Sequence, residues 1–130
     1  MDIYREAILD HYKHPRNFGH LRSPDVAVQE RNATCGDRIV MEIKIKGKGL
    51  KLNVIDDIRF SGEGCAISQA SASMLTEFVK GMDMVKIRKL SRHDIEHMLG
   101  VFLTPSRVKC ATLPLEVLQK AVVSLEDNGR

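Results

Sequence analysis

The sequence predicts an α+β fold in which a three-stranded antiparallel sheet packs against several helices. Between residues 38 and 60 the apolar side chains alternate with polar ones, which is typical of half-buried strands. Before and after that part they recur every three or four residues, which is typical of amphipathic helices. A helix, then strands, then further helices is the order of an α+β fold, because a parallel βαβ fold would alternate the two kinds of element.

The beginning of the chain predicts a helix over residues 3–13, whose apolar positions include Ile3 and Ala7. Pro15 disfavours helical geometry in the residue before it, so we expect the helix to end there. Residues 17–19 (NFG) then predict a turn.

Three strands should follow as an antiparallel meander, over residues 26–28, 38–46 and 50–60. Gly47 and Gly49 predict the turn between the last two strands. Asp56 and Asp57 interrupt the alternation of the third strand, which predicts a β-bulge at that point.

The second half predicts helices. One spans residues 66–80 and should end at Gly81, a residue suited to the position that follows a helix. A shorter helix should begin after Ser91, a good N-cap residue, and run through Leu99, with Asp94 in its first turn.

A closing helix is predicted by apolar residues at helical spacing from Val108 to Leu125. Pro114 falls within this pattern. It either kinks the helix or stands near the start of its longer portion, with Thr112 as the N-cap residue.

The composition describes a single domain over residues 1–130, since 130 residues (14.6 kDa) with 43% hydrophobic residues can form one core. The longest uncharged stretch, residues 64–76, has 13 residues and is too short to span a membrane. Acidic residues near the first methionine and the lack of an apolar run predict no signal peptide, hence a cytoplasmic protein. A net charge of +3 and a shortage of aromatic residues predict no nucleic-acid partner.

Three cysteines carry the chemistry that the sequence suggests, and an odd number in a chain without an export signal argues against a disulfide framework. Cys35 lies two residues from Asp37, with a turn-forming glycine between them. Cys65 precedes the helix that starts at residue 66, where exposed amides favour a thiolate. Cys110 follows Arg107 and Lys109, whose positive charges also favour a thiolate.

Each cysteine alone could instead be an ordinary buried residue. Together, Cys35, Asp37, Cys65 and Cys110 supply the four anionic ligands that tetrahedral Zn²⁺ or a [2Fe–2S] cluster requires. Separations of 30 and 45 residues between the cysteines differ from the close pairs of zinc fingers. We therefore expect a site on a fold that forms without the metal.

His93 and His97 share one face of the predicted shorter helix and could also bind a metal. The sequence HDIEH has Asp where the zinc-protease motif requires its catalytic Glu, and no third ligand is evident. A solvated helix face is the better interpretation. A Cys/His nucleophilic enzyme stays possible, although nothing marks an oxyanion hole.

Four motifs resemble the U-type iron–sulfur cluster assembly scaffolds, the family of IscU, SufU and the N-terminal domain of NifU. They occur in the family's order over nearly the whole chain: HYKHPRNFG from residue 11, TCGD from residue 34, GCAIS from residue 64 and RVKCA from residue 107. The resemblance implies the same α+β fold, with the site at one end of the sheet.

Features of two branches of the family are combined. Residues 67–74 (ISQASASM) and 107–110 (RVKC) look like SufU, whereas the spacing of the cysteines looks like IscU. The insertion that SufU proteins carry between their second and third cysteines is absent. Lys109 stands where IscU proteins have His, and the IscU motif LPPVK is replaced by TPSRVK from residue 104.

The resemblance implies a scaffold that takes sulfur from a PLP-dependent cysteine desulfurase. A transient [2Fe–2S] cluster would form on Cys35, Asp37, Cys65 and Cys110 and pass to apo iron–sulfur proteins. Cys35 and Cys110 are the expected persulfide acceptors. The alternative is a SufU-type sulfurtransferase that binds Zn²⁺ on the same residues and relays sulfur without building a cluster; a purely structural zinc domain is a third possibility.

Overall fold

The computed structural model describes residues 3–33, 36–47 and 53–128, without the side chains of residues 3, 4, 127 and 128. Eight elements occur in these ranges: α1 Ile3–Lys13, β1 Val26–Asn32, β2 Asp37–Lys46, β3 Val54–Glu63, α2 Ala66–Val79, α3 Met84–Lys89, α4 Arg92–Leu99 and α5 Pro105–Asn128. The predicted α+β fold is confirmed. No helix in the described ranges is long and apolar enough to cross a membrane.

The sheet is an antiparallel meander in the order β1-β2-β3. The predicted bulge is confirmed, because Lys44 pairs with Asp57 and Ile45 pairs with Ile55, which leaves Asp56 as the extra residue. The predicted turn at Gly49 and the start of the third strand at Leu50 lie outside the described residues. Strand β1 continues to Asn32, beyond the three residues that the sequence predicts.

One face of the sheet forms the core together with helices α2 and α5. Alternate residues of β2 are fully buried on this face, namely Ile39, Met41 and Ile43. Asp37, the first residue of the same strand, has only 2% of its surface exposed. The alternation thus extends to the first residue of the strand, where a carboxylate takes the place of an apolar side chain.

The ends of the helices agree with several predictions. Ser91 caps α4, and its backbone N–H donates to the Asp94 carboxylate at 2.8 Å. Gly81 follows α2 with a φ of +80°. Helix α3 was not predicted; the Asp83 carboxylate caps it by accepting from the Lys86 N–H at 2.8 Å.

The closing helix corrects one expectation. Helix α5 begins at Pro105, so Pro114 lies inside it and Thr112 is not its N-cap residue. The Thr112 hydroxyl instead donates to the carbonyl of Val108 at 2.9 Å, one turn back in the same helix. The cap position is Thr104, whose carbonyl accepts from Arg107 N–H at 2.9 Å.

The motif that starts at residue 11 attaches the N-terminal segment to α2. The Ser73 hydroxyl lies 2.7 Å from His11 Nδ1 and accepts the Arg16 N–H at 2.8 Å. Burial lowers the pKa of His11, and the positive charge of Arg16 lowers it further. A neutral imidazole can therefore accept the Ser73 hydroxyl proton near neutral pH.

Candidate metal centre

Three of the four predicted ligands come together at one end of the sheet. Asp37 begins β2, Cys65 lies between β3 and α2, and Cys110 lies in the second turn of α5. One Asp37 carboxylate oxygen and the two Sγ atoms all lie within 4.8 Å of one another. Cys35 lies outside the described residues.

The pairing of β2 with β3 explains why Asp37 and Cys65 meet. The strands are antiparallel, and Arg38 near the start of β2 pairs with Glu63 at the end of β3. Chain leaving β3 therefore passes Asp37 before it enters α2. Gly62 is required there, because a Cβ at this position would lie 2.0 Å from the carbonyl oxygen of Arg38.

The Asp37 carboxylate is held by Cys65. Its Oδ1 accepts the Cys65 backbone N–H at 3.1 Å, and its Oδ2 lies 3.8 Å from Cys65 Sγ. One oxygen is thus fixed by the backbone while the other faces the thiol. An ion bound beside Cys65 would therefore meet a buried carboxylate that is already oriented.

Cys65 occupies the N-cap position of α2, as the sequence predicts. Amide groups of the first turn of a helix point toward this position and form the positive end of the helix dipole. The Ser68 hydroxyl is fully buried, donates to the Cys65 carbonyl at 3.1 Å and lies 3.8 Å from Cys65 Sγ. Ser68 therefore contacts Cys65 from the first turn of α2, three residues further along the chain.

Cys110 is positioned by the packing of α5 on α2. The Ser71 hydroxyl donates to the carbonyl of Ala111 at 2.6 Å and joins the two helices next to the thiol. Only 4% of Cys110 is exposed, and its Sγ lies 4.0 Å from the carbonyl oxygen of Ser106. The small side chains predicted in α2 thus permit a close approach of α5.

Gly64 leaves no room for a side chain beside the ligands. A Cβ there would lie 2.4 Å from Ser68 Oγ and 2.7 Å from Asp37 Oδ1. Glycine is required for this close contact, because both neighbours are buried and held by hydrogen bonds.

Replacement of Gly64 by alanine is expected to displace the Asp37 carboxylate and lower Zn²⁺ affinity by about 10–100-fold, the cost typical of a lost outer-shell contact. Competition with a chromogenic chelator measures this affinity. Gly81→Ala is a control for the steric contact, because its Cβ would meet nothing within 4 Å; its φ of +80°, unlike the φ of Gly64, adds backbone strain away from the candidate ligands. Equal Zn²⁺ affinity for parent and Gly64→Ala would contradict the fixed-carboxylate geometry.

An open cleft gives access to the three candidate ligands. Its described lining consists of Gly36, Asp37, Glu63, Gly64, Cys65, Ser106, Arg107 and Cys110. Arg107, which the sequence marks as a neighbour of the third cysteine, is exposed and belongs to this lining. Lys109 is exposed and is not part of the described lining.

The ligand atoms fit a metal in spacing and in chemistry. Tetrahedral Zn²⁺ with bonds of about 2.0–2.3 Å holds its ligand atoms about 3.3–3.8 Å apart. Cys65 Sγ and Asp37 Oδ2 lie at 3.8 Å, and the whole described set lies within 4.8 Å. Movements of about 1 Å would close these side chains around an ion.

Among the described residues, the two histidines that the sequence offers as metal ligands are not part of this group. His93 and His97 are both exposed on α4, and the group of possible ligands found in the described ranges is Asp37, Cys65 and Cys110. The solvated helix face therefore remains the interpretation of these histidines. Sequence reasoning did not assign roles to Ser68 and Ser106, because serines are common and their proximity to sulfur depends on the tertiary structure.

Comparisons with known proteins find relatives over nearly the whole chain. The family model described as "NifU-like N terminal domain" matches residues 3–129. The zinc-dependent sulfurtransferase SufU of Bacillus subtilis (strain 168) is 40% identical over 141 residues, which cover 95% of this chain and 92% of that protein. The iron–sulfur cluster assembly scaffold protein IscU of Aquifex aeolicus is 39% identical over 119 residues, which cover 92% and 73% of the two proteins.

A solved structure shares the fold. A candidate iron–sulfur cluster assembly scaffold of the SUF system from Fervidobacterium islandicum AW-1 superimposes with a TM-score of 0.75 at 26% identity. The match covers 90% of this chain and 94% of that one.

The 141-residue alignment with the Bacillus protein exceeds the 130 residues of this chain, so the relative has residues without a counterpart here.

Proposed function

The chain belongs to the NifU-like N-terminal domain family, and from this premise we propose that it is an iron–sulfur cluster assembly scaffold. It accepts sulfur from a PLP-dependent cysteine desulfurase, assembles a transient [2Fe–2S] cluster and passes it to apo-proteins. Membership confirms the resemblance that the four sequence motifs carry. We propose that residues 1–130 act as one such domain.

One observation carries this function: Asp37, Cys65 and Cys110 converge within 4.8 Å on an open cleft. Thiolates are the ligands that iron–sulfur clusters require. A carboxylate is a harder ligand than a thiolate and binds such iron less firmly. A site with both kinds of ligand on an accessible surface suits a cluster that has to leave.

Sulfur enters this scheme by persulfide exchange. A thiolate of the scaffold attacks the terminal sulfur of the desulfurase persulfide, so that a new S–S bond forms and the desulfurase cysteine leaves as a thiolate. We propose Cys35 as the acceptor, since it stands beside Gly36 in the chain, with Cys110 as the alternative. The burial of Cys110, at 4% exposure, favours Cys35.

The second candidate is a sulfurtransferase that holds Zn²⁺ on Cys35, Asp37, Cys65 and Cys110 and relays sulfur without building a cluster. It is supported by the zinc-dependent relative at 40% identity and by the fit of the described ligands to tetrahedral zinc. When bound, Zn²⁺ would keep the thiols deprotonated. Either activity requires reduced thiols, which supports the proposed cytoplasmic location.

Anaerobic reconstitution distinguishes the two candidates. The protein is incubated with Fe²⁺, cysteine, a reductant and the desulfurase, and the visible absorbance that elutes with it is recorded. A scaffold is expected to acquire a brown chromophore and to transfer it to an apo-ferredoxin.

A zinc relay gives a different result in the same assay. The protein would stay colourless, and its Zn²⁺ form would stimulate cysteine turnover by the desulfurase. A purely structural zinc domain would show neither the chromophore nor the stimulation, and this outcome would contradict both proposals.

A further inference from the structure

The lining of the metal cleft contains a second carboxylate, that of Glu63. This glutamate is the last residue of β3 and belongs to the described lining. Its side chain is 80% exposed, whereas Asp37 and Cys110 in the same lining are only 2% and 4% exposed. The cleft therefore presents an exposed carboxylate to the solvent in addition to its buried candidate ligands.

The ion pair of Glu63 is weak enough to exchange. Its Oε1 lies 3.8 Å from Nε of Arg38, the residue opposite it in the pairing of β2 with β3. Solvent screens an ion pair whose carboxylate is exposed, so the pair contributes little to stability. The Glu63 carboxylate can therefore leave Arg38 and turn toward an ion in the cleft.

The sheet places Glu63 beside the candidate ligands without making it one of them. It lies two residues before Cys65, and its partner Arg38 directly follows Asp37. The described group whose ligand atoms lie within 4.8 Å of one another consists of Asp37, Cys65 and Cys110, and Glu63 is not part of it. Glu63 is thus positioned to contact an ion in the cleft before that ion reaches the buried group.

A metal ion from solution has to exchange its water ligands before it is held by buried sulfur. Carboxylates belong with water to the hard oxygen ligands, whereas thiolates are soft ligands. An exposed carboxylate can replace part of the water around the ion while the ion still has oxygen ligands. The buried carboxylate and thiolates can then replace the rest, so that the ion loses its water in steps.

We propose that Glu63 is the first residue to bind an incoming divalent metal ion and passes it on to the three described candidate ligands. This inference rests on the proposed function, in its iron–sulfur form or its zinc form. We call Glu63 a transit ligand, because it contacts the ion during entry and exit and not in the final site. An interaction made only on the way accelerates binding and release equally and leaves the equilibrium unchanged.

The test measures the rates at which Co²⁺ binds to and leaves the full, reduced, metal-free chain. Stopped-flow mixing follows the sulfur-to-metal absorbance as it rises with Co²⁺ and as it falls after excess EDTA is added. Glu63→Gln is expected to slow both rates by about 10-fold, the lower end of the effects that charged clefts have on association. The dissociation constant should stay within about threefold of the parent value, the effect of one screened charge near the site.

Asp56→Asn is the matched control, because Asp56 forms an ion pair between the same two strands, 3.7 Å from Lys46 Nζ. It lies seven residues from Glu63 along β3, about 20 Å away, which exceeds the screening length of about 10 Å. Both rates of this variant should equal those of the parent. Glu63→Asp keeps the charge but shortens the side chain, so it should slow both rates by less than Glu63→Gln does.

Three results would contradict the transit ligand and leave the proposed function intact. Equal rates for the parent and Glu63→Gln would make Glu63 an ordinary surface residue. Slower binding with unchanged release would reduce its effect to long-range attraction of the ion, and Glu63→Asp would then match the parent. Faster release would make Glu63 a ligand of the final site. A parent protein that gains no sulfur-to-metal absorbance would instead contradict the proposed function itself.

Discussion

Replacement of Cys65 by serine is expected to lower the affinity for Zn²⁺ by about 100-fold or more, since loss of an outer-shell partner alone typically costs 10–100-fold. Cys65 is one of three described candidate ligands whose atoms lie within 4.8 Å of one another, and a neutral hydroxyl is a poor substitute for a thiolate. The Co²⁺ form reports the same change, because its sulfur-to-metal absorbance should fall. Cys35→Ser and Cys110→Ser should also lose affinity if all four ligands act together.

The fold should survive the Cys65→Ser substitution. Cys65 is the N-cap residue of α2 and makes no side-chain capping hydrogen bond, whereas serine is among the preferred N-cap residues. We therefore expect the free energy of unfolding of the metal-free protein to stay within about 1 kcal/mol of the parent value in urea titration. Cys110 is buried, so its substitution would change the packing of the core as well as metal binding, and Cys65→Ser is the more specific test.

Ser106→Ala provides a control on the same cleft. It removes a hydroxyl from the lining without removing a thiolate or a carboxylate. Its Zn²⁺ affinity should equal that of the parent. If any of the three Cys→Ser variants binds Zn²⁺ like the parent, the four-ligand site is wrong.

The sequence predicted the longer elements because their burial is periodic. Strand β2 alternates over its ten residues except at Glu42, which is also buried, and the doublet of Asp56 and Asp57 breaks the alternation of β3 where the structure has its bulge. Helix α3 has only six residues, too few for a periodic pattern, and its stability comes from the burial of Met84 and Ile87 against the core. The Asp83 cap was the one local signal that could have revealed it.

Pro114 shows how tertiary packing overrides a local preference. A proline inside a helix costs about 3 kcal/mol, which made Thr112 a reasonable alternative start. Leu113, Leu115 and Leu118 around it are buried in the core. Continuing α5 through the proline keeps these side chains in place, and that contribution cannot be derived from the local sequence.

The candidate site was predictable in its residues but not in its geometry. Cys65, Cys110 and Asp37 were selected by charge, by flanking residues and by the order of the motifs. Their proximity depends on the register of β2 against β3 and on the packing of α5 on α2. The hydrogen bond from Cys65 N–H to Asp37 appears only in the structure, since the two residues are 28 positions apart.

Replacement of Asp37 by alanine is expected to make an assembled cluster persist at least several-fold longer and transfer more slowly to an apo-ferredoxin. The carboxylate is the hard oxygen donor among soft thiolates, so its bond to iron should break first when the cluster leaves. Under the zinc alternative, the same substitution should instead lower Zn²⁺ affinity and stimulation of the desulfurase. The measurement is the decay of cluster absorbance with the apo-acceptor present.

Asp37→Asn separates two roles of this side chain. Its amide oxygen can still accept the Cys65 N–H, as Asp37 Oδ1 does at 3.1 Å, but the neutral group has lost the anionic oxygen that faces Cys65 Sγ. If exchange of a carboxylate ligand starts release, both variants should transfer the cluster slowly. Slow transfer from Asp37→Ala alone would assign the effect to the hydrogen bond that holds Cys65, and equal or faster transfer from both would mean that Asp37 does not control release.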